Sequence, residues 1–202
     1  MKSAFIFLFM PAVALLAAFA QEPVEKPAKP EAPAMTPEQE AFMKAGAIGP
    51  YHKLLEPFVG RWKAEVRIWS DPKAEPMVTS GTSSHTFIFG GRYLKMEFTG
   101  QYLGQSFIGL GFMGFDNVRK EFISFWIDNM STWFLTSAGT VDREGKTFTM
   151  KGSFKDPMTG ILRQQRDILK VEGPDRIVSQ SFEASSDGKE FKTMEIVYMR
   201  AK

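Results

Sequence analysis

From Gly60 onward apolar residues recur at every second position, and turn signals interrupt them at intervals of about ten to fifteen residues. Nothing else in the chain narrows the fold as much. Trp62, Ala64, Val66 and Ile68 alternate with Lys63, Glu65 and Arg67, which predicts a strand with one dry and one wet face. The pattern returns in GKTFTMKGSF, ILRQQRDILKV, RIVSQSFEASS and EFKTMEIVYMR, separated by DPMTG, EGPD and SDGK turns. No helical period intervenes. About ten strands in this rhythm predict an all-β chain, as a single antiparallel up-and-down barrel.

The stretch from Gly90 to Trp133 is the densest part of that pattern. It reads as four successive strands, with turns at Gly90-Gly91 and Asp116-Asn117. Several of its runs are apolar at both parities, so both faces are expected to be covered or curled inward. Alternation does not settle which parity faces inward between Gly100 and Phe115. Gly100, Gly104, Gly109, Gly111 and Gly114 favour a barrel over a sandwich, because glycine lets a strand bend or another group approach. Ahead of the strands, Thr36-Pro37-Glu38-Gln39 has the form of a capping box and opens a helix. A second short helix, PYHKLLEPF, carries Tyr51, Leu54, Leu55 and Phe58 on one stripe suited to a barrel end. His52 falls off that stripe.

The chain begins with the grammar of an exported protein. Lys2 precedes an apolar run, Ala4 to Leu16, and Ala18-Phe19-Ala20 is a small-x-small cleavage site. Residues 1–20 are therefore expected to be a signal peptide cleaved after Ala20, with a periplasmic or secreted destination. Gln21 to Met35 is rich in Pro, Glu and Lys and reads as a disordered linker. Residues 36–202 form the barrel domain. No other stretch is long and apolar enough to span a bilayer. With no cysteine, disulfides, thiolate metal sites and thiol nucleophiles are excluded, so one core must hold the fold. Removing the leader removes one of 25 basic side chains, leaving them nearly balanced by 23 acidic ones. That balance carries no footprint for nucleic acid or for an anionic membrane.

Gly60-Arg61-Trp62, after a short helix and opening the first strand, resembles the G-x-W signature of lipocalins and their calycin relatives. HKLLEPFVGRW, GGRYL, GFDN, the W-x-D at Trp126 and Asp128, DGKEFK and a final Y-x-R at Tyr198 and Arg200 add to it. Together they resemble a bacterial lipocalin-like family catalogued only as a domain of unknown function. The resemblance covers about Thr36 to Arg200. It implies that Trp62 plugs one barrel end, beside Gly60, with Arg200 packed over it. It implies no catalytic residue.

Other motifs have plainer readings. Gly109 to Gly114 matches G-x-G-x-x-G, but it meets a turn rather than a helix, so it reads as barrel curvature. Ser106 lacks the strand-turn-helix elbow of a hydrolase nucleophile. The two histidines have no metal-ligand spacing. His52 is expected to bond a backbone carbonyl, and His85 to lie on a strand surface or rim. No metal or other cofactor is expected.

Polar residues set among aromatics, with the apolar residues around them, are the candidate ligand-binding residues: Met96, Glu97, Phe98, Phe112, Trp126, Asp128, Trp133 and Arg166. The apolar ones would wall a cavity, and Glu97, Asp128 and Arg166 would orient a polar group. A barrel of this strand number is wider than its own side chains fill easily. The favoured function is binding of a small apolar or amphipathic molecule. The alternatives are an envelope interaction module with a filled barrel, or an enzyme using Asp128 or Glu97 as acid or base.

Overall fold

The computed structural model describes residues 34–184 and 189–202. The expected signal peptide, residues 1–20, and residues 21–33 of the expected linker lie outside the described residues. Two short helices, α1 (Pro37–Ala45) and α2 (Pro50–Lys53), and a 3-10 turn at Glu56–Phe58 precede ten strands. These are β1 (Gly60–Ile68), β2 (Met77–Ile88), β3 (Tyr93–Tyr102), β4 (Gln105–Asp116) and β5 (Glu121–Asp128), then β6 (Leu135–Val141), β7 (Thr147–Lys155), β8 (Leu162–Gly173), β9 (Arg176–Ala184) and β10 (Glu190–Arg200). Each strand pairs antiparallel with its neighbours in sequence, and β1 pairs with β10, so the sheet closes into a barrel.

The stretch Gly90 to Trp133 holds three strands, β3 to β5, and not four. β4 runs unbroken through Gly109, Gly111 and Gly114, and the strand after β5 starts beyond the stretch, at Leu135. These glycines make room for a ring more than they end a strand. A Cβ at Gly111 would lie 2.9 Å from Trp126 Cε3, and one at Gly109 would collide with the same indole. The missing side chains let Trp126 lie flat on the inner face of β4.

Thr36 caps α1 as a capping box: Gln39 N donates to Thr36 Oγ1 at 3.3 Å, and Thr36 N donates to Gln39 Oε1 at 2.8 Å. The segment PYHKLLEPF is one turn of α-helix followed by the 3-10 turn, so the single stripe does not persist. Leu55 and Phe58 are buried, while Tyr51 is half exposed and stacks on Phe115 at 4.3 Å. Polar ties hold this cap to the barrel. Asn117 Nδ2 donates to Ala45 O and Ala47 O, and Arg92 Nε donates to Gly46 O.

Register divides every strand into an inner and an outer set, because directly opposed residues share a face. Trp62 opposes Ser83, Ser83 opposes Phe98, and Phe98 opposes Gly109. The main core lies at the end under the cap. Leu55, Phe58, Trp62, Leu94, Met113, Phe122, Phe148, Met150 and Ile177 are fully buried there. A smaller cluster, Ala64, Val66 and Phe98, lines the wall toward the other end, which is the mouth.

Candidate functional site

The capped end is closed by the first and last strands. Trp62 opposes Arg200 across the β1–β10 seam, and the guanidinium carbon sits 4.1 Å from the indole centroid. Arg200 Nη1 donates to Val59 O at 2.8 Å, Nη2 to Pro57 O at 3.1 Å and Nε to Pro174 O at 2.8 Å. Trp62 Nε1 donates to Phe58 O at 2.8 Å. Gly60 has φ +139, and a Cβ there would collide with Arg200 Nη1, so any other residue would be strained and would have to displace this guanidinium.

His85 belongs to the same plug and is no surface residue: it is only 3% exposed. Its Nδ1 lies 3.1 Å from Phe58 O and its Nε2 lies 2.8 Å from Ser83 Oγ. A carbonyl only accepts, so Nδ1 carries the proton, and the one Ser83 hydroxyl proton is shared between Nε2 and Glu97 O, which lies 3.0 Å from Oγ. Burial pushes the imidazole pKa down to about 4, with Arg200 adding to the effect. Both nitrogens are engaged, which leaves none for a ligand. His52 is buried too, and it accepts where a donor was expected: Gly49 N donates to its Nδ1 at 3.1 Å.

The mouth half of the lumen is built differently. Gln165 and Asp167 of β8 point inward opposite Glu183 and Ser181 of β9, on the face shared with Met150 and Leu169. Gln165 Nε2 donates to Asp167 Oδ1 at 2.8 Å. Burial raises the Asp167 pKa, against hydrogen bonds from Ser181 and Gln165. Burial raises that of Glu183 as well, opposed by Arg163 and reinforced by Asp156 and Asp167. Arg163 itself is held by Asp156, Nε to Oδ2 at 2.5 Å. Across the barrel, the wall formed by β3, β4 and β5 is apolar and aromatic. Phe98, Phe107 and Trp126 line it, and Met194 and Ile196 of β10, the strand next to β9, pack into the same cluster. Asp167, Gln165, Ser179, Met194 and Ile196 all face inward, yet each keeps accessible surface. This half is open to solvent where the capped half is not.

Four of the candidate residues reach this lumen. Met96, Phe98, Trp126 and Asp128 share the inner face. Trp126 Nε1 donates to Asp128 Oδ2 at 3.2 Å, and Met130 N donates to Oδ1 at 2.9 Å, so both carboxylate oxygens are occupied. Three candidates point outward and wall no lumen. Glu97 pairs with Lys95 at 2.9 Å on the outer face. Arg166 pairs with Glu190 and lies 4.3 Å over the Phe182 ring, also outside. Phe112 lies on the outer face against Phe125, centroids 6.2 Å apart. Trp133 stands at the rim, in the loop between β5 and β6. Gln165 and Ser181 are absent from the candidates, while Asp167, which with Gln164 and Arg166 interrupts an apolar run in the sequence, carries no assigned role there. The available signal was Lys170: a wet position there puts 168 and 166 outside and 167 inside.

A family model described as "Protein of unknown function (DUF1579)" matches residues 48–200. The chain belongs to that family. No curated protein matches it. Among solved structures, the crystal structure of Rv2717c from M. tuberculosis is similar, with a TM-score of 0.57 at 12% identity. The likeness covers 77% of this chain and 100% of that one. At that identity it speaks for the barrel fold alone.

The outer wall of this DUF1579 chain is itself uneven. Phe112, Ile123 and Phe125 border a groove of about 650 Å³ that crosses β4 to β8 and ends at Lys151 and Gln164. The expectation that both faces of β4 are covered therefore fails on the outside, where Ile108 is 54% exposed. Among the described residues, no group of three or more acidic or histidine side chains is placed to hold a metal ion. No helix among them is long and apolar enough to cross a membrane.

Proposed function

We propose that the protein is exported and binds a small amphipathic molecule in the mouth half of its barrel. The observation that carries this reading is the split lumen: inward side chains that keep accessible surface, with an aromatic wall on one side and Asp167, Gln165 and Ser181 on the other. Asp167 and Gln165 keep acceptor and donor capacity beyond their mutual bond and face the accessible lumen. A molecule with an apolar body and a polar head satisfies both walls. The body lies against Trp126 and Phe98, and the head meets the β8–β9 polar group. Met96 lines the wall, while Asp128 fixes the Trp126 ring in place.

Native mass spectrometry of the protein recovered from the export compartment tests this. The expected result is a mature chain beginning at Gln21 that carries a small-molecule mass. The same molecule should raise the melting temperature of the stripped protein. A chain that carries nothing, and whose melting temperature no amphiphile shifts, contradicts the reading.

A further inference from the structure

Three neighbouring hairpins at the mouth present large apolar side chains to solvent. Leu103 tips the β3–β4 turn, Trp133 and Phe134 lie between β5 and β6, and Met158 and Ile161 lie between β7 and β8, continued by Leu162. Leu103 is 71% exposed, Phe134 63% and Met158 92%. Apolar residues this exposed, gathered on one rim, mark an interaction surface. The turns hold them outward. Asp156 Oδ1 accepts from Met158 N at 2.8 Å and Thr159 N at 3.1 Å, and Asn129 ties its loop to Ile108 N and Ser106 O. Leu103 has φ +50, a position where turn chemistry favours Gly or Asn, so the turn alone does not call for a leucine. The β1–β2 loop at the same end, SDPKAEP, is polar and charged, so the apolar rim covers one side of the mouth.

The rim also carries a charge. Between two of the hairpins lies a groove of about 430 Å³ lined by Trp133, Phe134, Phe154, Lys155, Asp156 and Pro157. Asp156 is paired with Arg163 at 2.5 Å, and Lys155 stands beside the two aromatic side chains of the groove. Lys151 stands outward on the same strand. We infer that the mouth docks on a phospholipid bilayer containing anionic lipid, with the hairpin tips in the interfacial region and Lys155 at the phosphate level. Separate loop tips around an opening suit a fluid surface that accepts each tip independently. Aromatic residues beside a cation suit the headgroup boundary. Docking in this orientation brings the lumen to the membrane, but it does not depend on the lumen holding a ligand.

Flotation of the full-length mature protein with phosphatidylcholine vesicles containing phosphatidylglycerol tests the inference. The wild type is expected to float with the vesicles. The rim variant Trp133→Ser, Phe134→Ser, Met158→Ser, Ile161→Ser is expected to bind about tenfold more weakly or worse. Val118→Ser at the capped end should bind like wild type. As a second readout, brominated lipid tails should quench the wild-type tryptophan emission, and the folded single variant Trp133→Phe should lose that quenching. A wild type that stays with the soluble fraction, a rim variant that floats equally well, or quenching unchanged in Trp133→Phe would each overturn it. Failure here leaves the mass-spectrometric test of the lumen untouched, so the two ideas fail separately.

Discussion

Under the cap, Leu94, Phe122, Phe148 and Ile177 point into the barrel and have almost no exposed surface, whereas at the mouth Gln165, Asp167, Met194 and Ile196 point inward and retain it. One sheet supplies both ends, so strand pairing does not distinguish them. The difference lies in what each end was given to fill it. The cap contributes Leu55 and Phe58 to the capped end, and Trp62 completes the plug under Arg200. No such plug lies at the mouth among the described residues, where carboxylates and serines face an aromatic wall. The capped end carries the stability, and the mouth carries residues that stability does not require.

Truncation should separate the two ends most sharply. Phe148→Ala, among Phe58, Phe122 and Met150, should cost about 3–5 kcal/mol in urea denaturation. Met194→Ala at the mouth should cost only about 1 kcal/mol, because that side chain already touches solvent. Equal losses would erase the distinction. Acid acts on the capped end next. The folded pKa of His85, about 4, lies below its ordinary value of 6.5, so the unfolded chain binds more protons between them. Its contribution is fully present above about pH 6.5 and disappears as pH falls toward 4, a loss on the order of 3 kcal/mol. Denaturation of wild type and His85→Gln across that window isolates the effect, since Asp167 and Glu183 titrate in the opposite sense and are common to both.

The seam offers a backbone version of the same contrast. Gly60→Ala should cost about 2 kcal/mol, because it places a Cβ against Arg200 at φ +139. Gly104→Asn at the mouth also sits at positive φ but faces open space, and should fall within about 0.5 kcal/mol of wild type. The last expected effect has the opposite sign. Asp167→Asn removes a desolvated carboxylate, whose raised pKa marks ionisation as unfavourable, and should raise the melting temperature of the stripped protein at neutral pH. The same change should weaken ligand retention, which would make Asp167 a residue kept for function at a cost in stability.

The barrel is legible in the sequence because period-two patterning and turn residues are local signals. The candidate site is legible only where one parity is wet. Leu94, Met96 and Phe98 alternate with Lys95, Glu97 and Thr99, and that alternation alone is enough to place Glu97 outside. Lys170 does the same for Arg166. Along Ile108 to Phe112 both parities are apolar, so the outward turn of Phe112 follows only from register inherited across β3 and β5. The burial of the two histidines was not legible, because the stripe that marks PYHKLLEPF as a cap does not tell which further residues the cap covers.

The central contention is that the lumen is packed at the cap and has room at the mouth. Ser179 is the residue to test it. It faces inward midway along β9, between Leu169 and Ile196, and keeps accessible surface. If there is room, the melting temperature of Ser179→Leu equals or exceeds that of wild type. If the interior is filled, the added side chain overpacks it and lowers stability by about 1–3 kcal/mol, contradicting the account.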